Sequence, residues 1–354
     1  MAQKLTDTLV SEQKLPRYKI GIPRALYFYK YGPLWTAFLE YLNCEVKISG
    51  PTTSVIVENG AKEANTELCV PMKIYFGHVK ALISEYPDLD YIFIPRYVSS
   101  HKEQFFCPKF LILPEAVKYG IKFDTPIITL EINVKKFSEY ESAIIFGNQL
   151  GFNEETMIKA WDYANKKFEE FQDEARNGDY IELLNRLDTN PKHKRKKKKF
   201  KQFIPESIKG KFPVNILVLG HPYNVYETHI NIDLIGRLKA MDCNVTTIEN
   251  LPKSEFNEKI TINEQYHQYW QSEDEILKTA RYYLKDGRRR IDGIIFLISF
   301  ACGPDSLIQE IVMRDMKQRK VPYLDLVLDE HSGESGLITR IESFVDMIRR
   351  EKFR

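Results

Sequence analysis

Three of the five cysteines in this 354-residue sequence share a local grammar. Cys69 lies in Leu68-Cys69-Val70-Pro71, Cys107 in Phe106-Cys107-Pro108 and Cys302 in Ala301-Cys302-Gly303-Pro304. In each, a proline follows within two residues. Proline fixes its own φ, has no N–H to lose, and suits the first turn of a helix. It also drives the residue before it toward extended backbone. Cys69 and Cys302 are therefore expected just ahead of helix N-termini, and Cys107 ahead of a less distinct helix running toward Val117. Unpaired N–H groups and the helix dipole favour negative charge there, by roughly 0.3–1 kcal/mol each. The expectation is a lowered thiol pKa, suited to a thiolate or an iron–sulfur cluster. Gly303 leaves room for a bulky ligand to approach the backbone.

Cys44 and Cys243 read differently. Each follows a Leu-Asn or Met-Asp pair and enters a predicted strand, where a small apolar thiol packs a core. An odd number of cysteines in a chain expected to be cytoplasmic does not suggest a disulfide framework. The three Cys–Pro cysteines lack the tight Cys-x-x-Cys pairs of a zinc ribbon or a ferredoxin run. Zinc stays open if a histidine such as His101 completes a tetrahedron, and so does a set of three unrelated core cysteines.

His78, His221, Tyr223 and His331 are candidate pocket residues. His78 lies on an Ile/Phe/Val helical stretch, where a satisfied core histidine is the plainer reading. His221 and Tyr223 follow a strand end, a place where ligand groups collect in α/β folds. Glu330, His331 and Ser332 precede Gly333 and suggest a turn or a pocket edge. Asp305 and Ser306 open a helix and read as capping residues. Arg24, after Pro23, could bind a carboxylate or phosphate, with a surface ion pair as the plainer reading.

The elements that must position these residues alternate. Strands are expected at 18–22, 45–49, 91–94 and 126–132, with helices near 26–42, 72–86, 134–150 and 154–177. The pattern then restarts: strands at 214–220, 244–248, 293–299 and 323–328, with helices near 232–241, 265–285, 306–318 and 337–350. Alternation of this kind predicts mainly parallel sheets covered by helices. The two openings are alike, Ile20-Gly-Ile-Pro23 against Leu219-Gly-His-Pro222, followed by Leu42-Asn-Cys44 against Met241-Asp-Cys243. The expected architecture is α/β, two Rossmann-like lobes (1–190 and 204–354) joined by a basic linker (191–203), with the cluster site in the cleft between them.

Composition narrows the classes. Hydrophobic residues at 43% exclude a disordered chain. No stretch approaches the ~20 apolar residues of a membrane span. The net charge of +2 conceals a run from Lys192 to Lys201; its eight basic residues removed, the remainder stands at −6. Such a run is usually a solvated tether, and no nucleic-acid motif accompanies it. No P-loop GxxxxGK[ST] occurs either, so ATP hydrolysis is not expected of this chain.

The strings IPRALYF at 22–28, ELCVPMK at 67–73, GHV at 77–79, GHPYN at 220–224, ACGPDS at 301–306 and DEHSGESGLITRIESFVDMI at 329–348 carry a resemblance. Together they resemble the activase-associated branch of the 2-hydroxyglutaryl-CoA dehydratase D-component family, over most of the chain outside the first fifteen residues and the basic run. The resemblance implies a [4Fe-4S] cluster held by Cys69, Cys107 and Cys302, with one iron left open. It further implies a separate ATP-dependent activator that delivers a low-potential electron for radical dehydration or reduction of an acyl-CoA. Such an open iron could act as a Lewis acid while passing an electron. Many members are longer and carry the activator domain ahead of this region. A non-catalytic electron-transfer or cluster-carrier protein is the alternative, and a dimer is an expected assembly.

Overall fold

The computed structural model describes residues 17–194, 200, 210, 213–251, 269–285, 291–331 and 333–352. The expected α/β architecture is what it shows. In the first lobe β1 (Tyr18–Ile22), α1 (Phe28–Tyr41), β2 (Cys44–Ile48), α2 (Ser54–Glu63), α3 (Val70–Glu85) and β3 (Tyr91–Phe93) follow in turn. Next come β4 (Arg96–Ser99), α4 (Pro108–Leu111), α5 (Leu113–Gly120), β5 (Ile127–Ile128) and β6 (Glu131–Asn133). Helices α6 (Glu139–Gln149), α7 (Glu154–Asn177) and α8 (Tyr180–Asn185) complete it. The second lobe holds β7 (Val214–Leu219), α9 (Pro222–Val225), α10 (Leu234–Ala240), β8 (Cys243–Thr246), α11 (Gln271–Leu284), β9 (Gly293–Ser299), α12 (Gly303–Arg319), β10 (Tyr323–Leu328) and α13 (Glu334–Lys352).

The two four-stranded sheets are parallel and have the same strand order, β2-β1-β3-β5 and β8-β7-β9-β10. Their likeness extends to single residues. Tyr18 pairs with Cys44 in one lobe and Val214 with Cys243 in the other. The residue before each cysteine turns the chain through a left-handed conformation, Asn43 at φ 57° and Asp242 at φ 58°. Such residues tolerate that conformation better than most. At the mouth of the third strand, the Lys19 N–H donates to Asp90 Oδ2 at 2.7 Å and the Asn215 N–H to Asp292 Oδ2 at 2.8 Å. Cys44 and Cys243 are buried in core positions, and burial pushes both thiols up to about 12.

The strand expected at 126–132 is two short strands in different sheets. Its neighbour is interrupted likewise, at Pro95 between β3 and β4, yet Ile94 N–H reaches Ile128 O at 3.0 Å and Arg96 N–H reaches Leu130 O at 2.9 Å, so the two chains stay paired across the break. One apolar core runs from Ile20 and Phe28 through Phe93 and Phe146 into Val214, Leu238 and Phe344, so it spans both lobes. A second cluster backs the other face of the second sheet around Phe296, Val312 and Met316.

Two glycines fix the helix that carries Cys69. A Cβ on Gly60 of α2 would lie 1.9 Å from Lys73 O, and one on Gly77 of α3 would lie 2.0 Å from Ile56 O. The helices cross with their backbones in contact, which only glycine permits. Among the described residues no helix is long and apolar enough to cross a membrane. Most of the basic run, 195–199 and 201, lies outside the described residues.

Candidate functional site

Each Cys–Pro cysteine is the N-cap of a helix with proline in its first two positions. Cys69 caps α3, Cys107 caps α4 and Cys302 caps α12. None of the three side chains makes a directed N-cap hydrogen bond, although the Lys109 N–H lies near the Cys107 thiol and the Asp305 N–H near that of Cys302. All are free and half-buried. Cys107 and Cys302 follow the third strands of their respective lobes, so both come to the carboxyl edges of parallel sheets, where sites form.

Contacts across the lobes bring the three loops together. Lys109, in the α4 turn after Cys107, donates to Ala301 O beside Cys302 at 3.4 Å. Lys73, in the first turn of α3, pairs with Glu330 at the end of β10. Tyr223 lies among the three loops; its ring centroid is 6.1 Å from Phe110 and 6.0 Å from Tyr27. Burial pushes the Tyr223 hydroxyl well above its ordinary range, with Tyr27, Cys302, Asp305 and Cys69 adding negative charge nearby. The phenol therefore stays a donor.

Cys107 and Cys302 do not follow the expectation drawn from helix dipoles. Burial pushes Cys302 up to about 11, with the adjacent His221 pulling against it. Cys107 is also raised by burial; the Lys109 N–H opposes this and charge on Cys69 reinforces it. Desolvation outweighs the few tenths of a kcal/mol that a helix end contributes. A metal would have to displace these protons to bind, which makes loading pH-dependent.

His221 continues the strand β7 through Gly220, whose φ is +145° and whose imaginary Cβ would meet Leu297 O at 2.8 Å. That turn sends the imidazole into the site, stacked on Tyr223 with centroids 4.7 Å apart. His221 Nε2 lies 3.0 Å from Asp305 Oδ1 and 3.6 Å from Glu273 Oε1. The approaches are off-line, and neither ring nitrogen makes a directed hydrogen bond. Burial disfavours the imidazolium, but Asp305, Cys302 and Glu273 together hold its pKa well above the ordinary range. Burial raises the Glu273 carboxyl to about 6, with His221 pulling against it. Ligand atoms of His221, Glu273, Cys302 and Asp305 all lie within 4.8 Å of one another.

Two of these residues escaped sequence reasoning. Asp305, read as a cap, is fully buried, and neither carboxylate oxygen has a hydrogen-bond partner. Its signal was its place inside ACGPDS. Glu273 sits in the first turn of α11, and nothing local marks it. The other candidates fall elsewhere. His78 is fully buried with Nδ1 2.9 Å from Ser49 Oγ and Nε2 3.0 Å from Thr52 Oγ1, so it ties β2 and the loop after it to α3. His331 is exposed in the turn after Glu330, with its N–H on Asp329. Arg24 is not on the surface. It is buried, donates to Asn185 Oδ1 at 2.5 Å and lies over the Phe28 ring.

No curated protein matches the chain. A family model does match it, over residues 19–251, a span that contains Cys69, Cys107 and His221 and ends before Cys302. That is well over half the sequence, and the chain belongs to the CoA enzyme activase uncharacterised domain family (DUF2229).

Proposed function

We propose that this chain is an iron–sulfur component working beside an activase, with Cys69, Cys107 and Cys302 as ligands of a [4Fe-4S] cluster. The observation that carries the reading is the arrangement of the cysteines: three free thiols, each at a proline-led helix start, from both lobes, with Cys69 and Cys302 near Tyr223 and Cys107 near Cys69. The donor set fits the group. Three soft thiolates suit iron–sulfur chemistry, and the surrounding N–H groups favour its negative charge. A cluster with only three protein ligands would supply an iron open to substrate oxygen together with a transferable electron.

The residues around it have their own tasks. Tyr223 and Phe110 keep water from one side, and Tyr223 offers a hydroxyl donor. Lys109 and Lys73 hold the loops that bear the cysteines in register. His221, between two carboxylates, can hold a proton beside Cys302. The family's description names the activase side of such systems; because the sequence has no P-loop of its own, we read this chain as the partner that receives an electron rather than as the ATPase. The expected substrates are 2-hydroxyacyl-CoA or related acyl-CoA compounds.

The test is iron and sulfide content, with an absorption spectrum, of anaerobically purified protein and its Cys69→Ala, Cys107→Ala, Cys302→Ala and Cys44→Ala variants. About four irons and matching sulfide, lost in the first three and kept in the last, is the expected result. Turnover of a 2-hydroxyacyl-CoA with activator, ATP and reductant then marks an enzyme; cluster reduction without turnover marks a carrier. A second reading rests on the compact set of His221, Glu273, Cys302 and Asp305, whose mixed N, O and S donors suit a single divalent zinc or iron ion. It leaves Cys69 and Cys107 unused. One metal per chain, without sulfide and insensitive to Cys69→Ala, is its signature.

A further inference from the structure

A cavity of about 200 Å³ opens between the lobes, and none of its lining residues belongs to the cysteine site. Lys30 of α1, the α7 side chains Gln172 and Arg176, and Tyr180 of α8 line it from the first lobe. Glu249, in the turn after β8, and Glu275 of α11 line it from the second. At roughly 30 Å³ per water, the space equals six or seven solvent molecules, the size of a small metabolite.

Bond accounting shows what the cavity asks of an occupant. Lys30 and Glu275 satisfy each other, with Nζ at 2.8 and 2.6 Å from the two carboxylate oxygens. Tyr180 spends its hydroxyl on Tyr29 O at 2.8 Å and stacks on Tyr226 at 4.1 Å, so it presents only a ring. Ile248, Leu251 and Ala175 extend that apolar wall. Glu249 accepts from Tyr226, with Thr247 and its own N–H close by, and its carboxyl lines the cavity. Gln172 Oε1 is buried without a hydrogen-bond partner. Arg176 is engaged on its outer side by Asp173 at 3.1 Å and has further N–H groups to donate. The lining therefore wants a donor for Glu249 and Gln172, an acceptor for Arg176, and an apolar body against Tyr180. Two cations and two carboxylates leave it without a preference for either sign of net charge.

We infer that this cavity is a second ligand site, for a small zwitterion of the aliphatic amino-acid type bound between the lobes. Its ammonium faces Glu249 and Gln172, its carboxylate faces Arg176, and its side chain lies on the Tyr180 ring. The site also reaches the cysteines. Glu275 in its wall and Glu273 beside His221 are two residues apart on α11, so an occupant bears on the helix that supplies the cysteine site with a carboxylate.

The test uses the full chain without metal, so it does not depend on the cluster. Titration calorimetry with L-leucine, isovalerate and isoamylamine compares the zwitterion with each half of its charge. Leucine is expected to bind with a Kd of about 1 mM or tighter, with the other two at least tenfold weaker. Glu249→Gln, which keeps an acceptor for Tyr226, and Arg176→Ala are each expected to weaken leucine about tenfold, with the fold checked by circular dichroism. No binding of leucine overturns the inference, as does binding of isovalerate or isoamylamine as tight as leucine. Leucine binding unchanged in both variants overturns it too, because the ligand then sits elsewhere. The wild-type comparison alone can refute it even where a variant fails to fold.

Discussion

Replacing Gly77 by alanine sets two effects of opposite sign against each other. In an open helix the change stabilises by about 1 kcal/mol, because glycine is the poorer helix former. At Gly77 the new Cβ would stand 2.0 Å from Ile56 O, where ordinary contact begins at 3.4 Å, and the neighbour is backbone. Helix α2 must recede by well over an ångström, and it is held in turn by Gly60 against Lys73 O. Overpacking of this kind costs about 1–3 kcal/mol, and two locked helices place the expected net loss at about 1–2 kcal/mol after the helix gain. The displacement falls on α3, whose N-cap is Cys69, so bound iron should fall as well. Urea unfolding of Gly77→Ala measures the loss. Gly336→Ala is the control, since it lies near the start of α13 with nothing within 4 Å of its Cβ and should be neutral or slightly stabilising. Equal or greater stability in Gly77→Ala would refute the close crossing.

Other outcomes follow from the same geometry. His78→Leu removes the bonds to Ser49 and Thr52 and should cost about 1–3 kcal/mol in urea unfolding, while iron content stays at the wild-type level if the residue is purely structural. The core thiols make stability fall at alkaline pH. Cys44 and Cys243 have folded pKa values raised from 9.0 to about 12, so the unfolded chain loses their protons first and their contribution declines above pH 9. Between pH 8 and pH 10 the wild type should lose about 3 kcal/mol more than Cys44→Ala/Cys243→Ala, by the linkage of two such thiols. Parallel pH profiles would show that burial does not hold these protons. Lys73→Met removes the partner of Glu330 in a nearly enclosed pair between α3 and the β10 loop. It should weaken metal retention with little change in secondary structure, measured by chelator challenge and circular dichroism.

Much of the fold was legible because strands and helix starts carry strong local signals. Strands 293–299 and 323–328 have the expected bounds, the first a continuous apolar run and the second an apolar run broken only by Asp325. The three Cys–Pro sequences foretold three helix starts, including the short one after Cys107. The duplicated Asn-Cys and Asp-Cys turns foretold two lobes of one topology. Helix α2 was not legible, because Asn59-Gly60 reads as a turn. The glycine is there for Lys73 O instead, a partner far along the chain. Glu273 was invisible for the same reason, since its meaning depends on His221 and Asp305, which only the tertiary fold supplies. The thiol pKa values misled because helix position is local and desolvation is not.

Helix α11 has a mechanical consequence. Its first turn is pinned to the first lobe: Ser272 bonds Tyr27 at 3.0 Å, Gln271 N–H meets Phe105 O at 3.0 Å, and Glu275 holds Lys30. Its body is bolted to α12 through Arg281 and Asp315 at 2.8 Å, and α12 begins at Cys302. Fourteen residues make a rod of about 21 Å. The pinned end is also the end beside the thiol, since Glu273 in that first turn lies within 4.8 Å of Cys302. The rod thus grips the first lobe where it touches Cys302 and the second lobe farther along, and whatever stiffens the angle between lobes also fixes the gauge between Cys302 and the two thiols of the first lobe.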